Sequence, residues 1–213
     1  MNKKNCWTEA LHSRRFVIQL IIVAIFILVI VSLLPYFFHS IIGPKPGLRI
    51  TDPVLNACAP RDYSWIIFVL IYLSLGITLQ GIYKKPKIIL LGLKCYLLIT
   101  LLRMLSMYML TLEAPKGIIP LHDPLVDLIA YGGNVFTKDL FFSGHVATLT
   151  LFAQLEERVV MKRILVISVI LVAGLILLQG VHYSIDLLVA PIVSILVVKV
   201  AKRYFTTLIN GNR

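Results

Sequence analysis

The chain has 213 residues, of which 59% are hydrophobic and only 15% charged, and its mean hydropathy is +0.91. So short a soluble domain has too little interior to hide that much apolar surface, which leaves a compact polytopic membrane protein. The net charge of +11 comes from basic residues scattered between apolar runs, without the basic stripe and interleaved aromatics of a nucleic-acid surface, so nucleic acid is not an expected partner.

Six apolar runs follow in chain order, each a candidate transmembrane helix, since about 20 mostly apolar residues cross a hydrocarbon core of roughly 30 Å. The first, Phe16 to Phe38, has only Gln19 and Ser32 as polar members and is too long for the core of a cleaved signal peptide. The second runs from about Tyr63 to Gly81, and the third from Ile88 to Leu110 with Lys94 and Arg103 inside it. The fourth, about Leu140 to Leu155, is short and opens on Phe-Phe-Ser-Gly-His. The fifth is Ile164 to about Gly180 and the sixth about Ile185 to Val200. No internal repeat or second domain is apparent. The expected organisation is a cytoplasmic segment over residues 1–15, a single all-α six-helix domain over 16–200 and a basic tail over 201–213. Cys6, Cys58 and Cys95 fall in different parts of the chain and suit neither a disulfide scaffold nor a four-ligand zinc site.

Sorting the charges gives an orientation. With the N-terminus inside, 14 of the 21 basic residues lie in inner segments, among them Lys84, Lys85, Arg158, Lys162 and Lys202; five (Lys45, Arg49, Arg61, Lys116 and Lys138) lie outside. This positive-inside asymmetry predicts that both termini are cytoplasmic. It also accounts for much of the excess charge through topology and attraction to anionic lipid. The acidic residues sort the other way: Asp52, Asp62, Glu113, Asp123, Asp127, Asp139 and Asp186 fall at or beyond the outer face. The two long connections, residues 39–62 and 111–139, are outside as well, so a site is expected to open outward, to the periplasm, the extracellular side or a lumen.

Four features near that face could carry chemistry. In His182-Tyr-Ser-Ile-Asp186 the carboxylate, four residues on, can hold one imidazole nitrogen and leave the other more basic. Alone, such a spacing is more often a helix cap beside an incidental histidine. Ser143-Gly144-His145 places small residues and a histidine at a helix start, where exposed amides and the helix dipole suit a phosphate. A second histidine at the same predicted depth makes coincidence a poorer account. Arg103 lies about seven residues, or roughly 10 Å, from the outer end of its run; an arginine there is costly, and its fork fits phosphate oxygens. Lys94 reads as snorkelling, and the adjacent His122 and Asp123 as structural rather than a metal pair. The fourth feature is Ser106 to Leu112, leaving the third run.

Together these blocks resemble the type 2 phosphatidic acid phosphatase superfamily and, within it, the sphingomyelin synthase branch. The matching residues are Arg103, Ser106-Met107-Tyr108, Thr111-Leu112 with Pro115, Asp139 with Phe142-Ser143-Gly144-His145, and His182-Tyr183-Ser184-Ile185-Asp186. The resemblance covers roughly residues 65 to 200. Three departures stand out: Glu113-Ala114 interrupts the Leu-Pro segment, Val146 replaces a threonine, and Lys138 replaces a glycine. The lysine-plus-Arg-Pro block of the superfamily's soluble-headgroup phosphatases is missing.

The resemblance implies a lipid phosphotransferase that needs no metal or other cofactor. His182, held by Asp186, is the implied nucleophile and His145 the general acid and base. Arg103, Ser143 and Gly144 would bind the phosphate, with Asp139, Tyr108 and Tyr183 beside the substrate. The implied partners are a phospholipid donor and a lipid hydroxyl acceptor such as ceramide; a homo-oligomer is compatible with the sequence. The rival expectations are a lipid phosphatase or phospholipase that transfers to water with the same residues, and a non-enzymatic six-helix transporter. A transporter would place polar groups at the midplane and often repeat its halves, whereas here they gather at one face.

Overall fold

The computed structural model describes residues 6–57, 59–121 and 138–210; His122, Asp123 and Asp127 lie outside them. The regular structure of the described chain is helical, apart from one isolated parallel bridge between Leu48 and Leu112. Helix α1 (Cys6–His12) is followed by α2 (Arg14–Tyr36), whose start is capped by Ser13, its Oγ accepting from Phe16 N. Pro35 removes an amide donor within α2, and the chain then continues as a wider π turn over Phe37–Ile42. A single turn, α3 (Pro53–Asn56), precedes α4 (Ser64–Ile82) and α5 (Pro86–Met109), which opens on a proline at a position where no amide is needed. Helices α6 (Gly144–Leu155), α7 (Val159–Leu178) and α8 (Ser184–Asn210) complete the bundle.

Five of these elements are long and apolar enough to cross a membrane: Arg14–Ile42, Ser64–Ile82, Pro86–Met109, Val159–Leu178 and Ser184–Tyr204. Their outer faces carry large apolar side chains in the open, with Leu28 67%, Ile170 66% and Leu188 64% exposed. Such a surface suits lipid and not water. The fourth apolar run differs from its expectation. It forms only the 12-residue α6, about 18 Å long at 1.5 Å per residue, short of a hydrocarbon core.

Helix α6 is the centre of the packing. Val146, Ala147, Leu149 and Leu151 are buried among Ile67 of α4, Cys95 and Ile99 of α5, Val172 and Ile176 of α7, and Ala190 and Val198 of α8. Small residues let neighbours approach: Ser194 Oγ donates to Ala147 O (3.0 Å), and a side chain at Gly92 would meet Leu155. Helix α2 is peripheral. It leans on α5 through Phe16, Val23 and Leu90 and through a bond from Lys94 Nζ to Gln19 Oε1 (2.8 Å), so Lys94 ties two helices together within the apolar layer.

Polar contacts define the two ends of the bundle. At one end Trp7 bonds Tyr83 O, Lys85 pairs with Glu157, Arg158 reaches Ile77 O and Gln80, and Lys202 reaches Gln154 O. At the other, Lys45 bonds Tyr108 O, Gln179 bonds Ser64, and Lys138 bonds Gly43 O and Lys45 O. The candidate residues gather toward this second end, the site end.

Candidate functional site

Helix α7 ends in a Schellman-type turn. Gly180 takes φ +74°, with Gly180 N bonded to Leu177 O (3.0 Å) and Val181 N to Ile176 O (3.1 Å). The turn swings the chain back so that His182 and Tyr183 lead into α8. His182 and Asp186 therefore straddle the helix start rather than sharing one helical face. Asp186 Oδ2 accepts from Tyr183 N (3.2 Å), the backward reach of a capping box, and lies 3.2 Å from His182 Nδ1. Helix cap and histidine partner are thus one carboxylate. Its hold on Nδ1 leaves Nε2 as the other ring nitrogen for chemistry. The pair is deeply placed, His182 being 3% and Asp186 0% exposed.

The start of α6 meets this turn directly. Ser143 N donates to Asp186 O (3.3 Å), which joins the Ser-Gly-His block to the His-x-x-x-Asp block. The Ser143 amide, expected among the phosphate donors, is engaged by this bond. The amides of Gly144 and Val146, in the first turn of α6, have no intrahelical acceptor. Ser143 Oγ and Asp186 Oδ1 are buried at the junction without a hydrogen-bond partner among the described residues, an arrangement that folded proteins seldom leave unused. His145 follows Gly144 in that first turn and is half-buried.

Arg103 reaches the junction from α5. Nε donates to Phe142 O (2.9 Å) and Nη2 pairs with Asp139. An added Cβ on Gly144 would stand 2.9 Å from Arg103 Cζ and 3.0 Å from Nη1, so the guanidinium lies flat against the first turn of α6. One helical turn on, Ser106 Oγ lies within bonding distance of Phe141 O (3.1 Å) and Arg103 O (2.9 Å). Residues 139–142 are gripped by α5, which explains why the fourth helix begins at Gly144 and not at Leu140. The contact also places the start of α6 at the depth of Arg103, six residues below the end of α5.

Two expected substrate contacts sit elsewhere. Tyr108, five residues after Arg103, points roughly 140° round the helix; it is 52% exposed, and Lys45 Nζ lies 4.0 Å above its ring. Tyr183 is buried, its hydroxyl donating to Glu113 O (3.0 Å), so it props the turn from behind. Asp139 is part of the group, but as the partner of Arg103.

Three supports were not legible as site residues. Asp52, in the first long connection, accepts from Ser184 N (2.6 Å) and Ser184 Oγ (3.1 Å) while also capping α3 through Val54 N (3.0 Å) and Leu55 N (3.4 Å). Burial pushes its carboxyl up, but the Ser184, Leu55 and Val54 bonds outweigh that and hold it below the ordinary 3.8. Glu113 and Lys138 form an ion pair (2.8 Å), and Gly47 N also donates to Glu113 (3.1 Å). Gln179, fully buried at the end of α7, accepts from Tyr63 N (2.9 Å) and donates to Ser64 Oγ (2.9 Å) and Ile119 O (3.2 Å). An uncharged polar residue just before a glycine at the end of an apolar run was the available signal for Gln179. Asp52 and the Glu113–Lys138 pair had none.

Residues 138–203 match a family profile described as PAP2 superfamily C-terminal. The match supports the type 2 phosphatidic acid phosphatase superfamily, a family of phosphatase-type enzymes, without reaching the sphingomyelin synthase branch. The matched stretch holds Asp139, Ser143, Gly144, His145, His182 and Asp186 but ends short of Arg103 and Tyr108. No curated protein matches the chain. Apolar helices together with this match point to phosphatase- or phosphotransferase-type chemistry on lipid by an integral membrane protein.

Proposed function

We propose that the protein is a lipid phosphotransferase whose reaction centre is the junction of α5, α6 and the start of α8. The observation that carries the reading is the Ser143 N–Asp186 O bond, which brings the histidine-bearing turns together beside Gly144, where the Arg103 guanidinium rests. In the first step His182 Nε2 attacks phosphorus in line. The N–P bond forms, the P–O bond to the diacylglycerol oxygen breaks, and His145 gives that oxygen its proton. Arg103 and the first-turn amides of α6 carry the charge on the equatorial oxygens. In the second step an acceptor hydroxyl gives its proton to His145 and takes the phosphoryl group, which breaks the N–P bond. A lipid hydroxyl of the ceramide type makes the enzyme a synthase; water makes it a phosphatase or phospholipase. Asp139 holds the guanidinium in place until a phosphate competes for it. It acts as a positioning residue and does not touch the substrate, since a carboxylate against phosphate is repulsive.

The clustering of these groups at one end of the bundle favours an enzyme over a transporter. We further propose that the fourth run makes a sixth crossing, entering as irregular chain and continuing as α6. This rests on Lys138 bonding at the site end and Arg158 at the opposite end. The basic residues at that opposite end support its being cytoplasmic, which turns the reaction centre outward.

The test is turnover of a head-group-labelled phospholipid by purified protein in the presence of chelator, with and without ceramide. Wild type should release diacylglycerol, and the label should appear either on ceramide or in water. His182→Ala should lower turnover by at least about a thousandfold, as loss of a nucleophile does. Full activity in His182→Ala sinks the covalent mechanism.

A further inference from the structure

Helix α6 is enclosed on most sides, yet one stripe of it stays open. Between Gly144 and Ala153 the partly exposed residues are Gly144, His145, Thr148 and Phe152, and the rest are buried. His145, Thr148 and Phe152 stand at i, i+3 and i+7, so they share a face. That face lies within about 100° of Gly144, where the Arg103 guanidinium of α5 rests. Helices α4 and α5 each pack on α6 but scarcely on each other, which leaves a seam beside α5 for the stripe to face.

Thr148 is unusual among the hydroxyls of this apolar layer. Such groups ordinarily bond a carbonyl of the preceding helical turn. Ser74 donates to Leu70 O (2.7 Å), Thr78 to Ser74 O (2.8 Å), Thr100 to Tyr96 O (2.9 Å) and Thr150 to Val146 O (2.8 Å). Thr148 Oγ1 has no hydrogen-bond partner among the described residues, and a hydroxyl left unpaired among apolar groups is costly. It lies one turn from His145 on the same face, about 4.5 Å farther from the site end along the axis. A phospholipid with its phosphate against Gly144 and Arg103 and its chains along the helices brings an acyl carbonyl to that depth, because the ester carbonyl is only a few bonds from phosphorus.

We propose that Thr148 is a specificity-determining residue of the reaction centre: its hydroxyl donates to the acyl carbonyl beside the scissile phosphate and so favours an ester-linked lipid over its ether-linked analogue. The contact rests on the phosphotransfer reading for the place of the phosphate but not for its test. Binding is measured without turnover, on full-length His182→Ala in detergent, with dioctanoyl phosphatidic acid and its dioctyl ether analogue, which differ only in the carbonyls. The ester lipid should bind about threefold to tenfold more tightly, the worth of one neutral hydrogen bond. His182→Ala/Thr148→Val keeps the shape of the side chain and should bring the ratio of the two affinities close to one, whereas His182→Ala/Thr148→Ser keeps the hydroxyl and should preserve the preference. Equal affinities in the parent protein, or a preference that survives Thr148→Val, overturns the contact. Failure of both lipids to bind overturns the contact together with the phosphate site above it. A wild-type protein that shows the Thr148-dependent preference yet cleaves no phospholipid overturns the phosphotransfer reading and leaves the contact standing.

Discussion

Asp52 offers the sharpest test of how the reaction centre is held. Its carboxylate sits 132 residues from Ser184 in sequence, yet it caps the first residue of α8 through both the amide (2.6 Å) and the hydroxyl (3.1 Å). Replacing an N-cap carboxylate by alanine costs about 0.5–2 kcal/mol. Asp52 serves two helix starts, α3 and α8, so Asp52→Ala should cost roughly 2–3 kcal/mol. The same bonds fix the backbone between His182 and Asp186. Loosening that turn moves a reacting nitrogen, and a small misplacement lowers kcat by roughly tenfold or more. The assay pairs thermal unfolding in detergent with turnover. Ser184→Ala is the milder companion, since it removes only the hydroxyl bond. The pH dependence has a definite sign. A carboxyl held below 3.8 in the folded protein contributes its stabilisation fully above that value and loses it as pH falls through the lowered folded-state value. Wild type and Asp52→Ala should therefore differ most near neutrality and converge in acid. If Asp52→Ala unfolds and turns over like wild type, the carboxylate holds nothing and the reasoning is wrong.

Two further substitutions separate local roles from global stability. Gly144→Ala should raise helix propensity by about 1 kcal/mol, yet its new Cβ must displace a guanidinium that Asp139 and Phe142 O both hold. The expected result is a protein as stable as wild type with turnover lowered by about tenfold or more; unchanged turnover would show that Arg103 need not rest there. Glu113 and Lys138 should couple by about 0.5–1 kcal/mol in a double-mutant cycle, because both side chains are partly exposed and screened. Lys138→Met should cost more than Glu113→Gln, since Lys138 Nζ also serves Gly43 O and Lys45 O; zero coupling, or the reverse order, refutes the pairing.

The helices were legible wherever apolar runs were long. The second, third and fifth runs correspond to α4, α5 and α7 with ends shifted by a few residues, because burial in lipid and intrahelical hydrogen bonding both demand a continuous helix there. Hydropathy failed where it stopped tracking hydrogen bonding. Helix α8 runs on to Asn210, past the charged residues that close the apolar run, because backbone bonding continues after the apolar requirement ends. The fourth run fails in the opposite way: Leu140 to Ser143 are apolar enough for a helix, but Arg103 and Ser106 claim their carbonyls.

The candidate residues were visible because each block is short and chemically distinctive. Their supports were not, because an ion pair between distant segments leaves no local period. Glu113 and Lys138 show this well. As sequence they are two unrelated departures from a resembling branch, yet in the fold they are one ion pair that ties the second long connection to the chain entering α6. The acidic residues at the site end follow the same rule. Sorted by sequence, they appear as the counterpart of a positive-inside charge distribution. In the structure Asp52 holds Ser184, Asp62 caps the start of α4 through Ser64 N, Glu113 holds Lys138, Asp139 holds Arg103 and Asp186 holds His182. Irregular chain at the end of a membrane bundle has few apolar contacts with which to define itself, so carboxylates that gather amides and cations do that work. The asymmetry of acidic residues thus has a cause in local structure. It places the most closely tied irregular segments at the end where two histidine-bearing turns must be held in register.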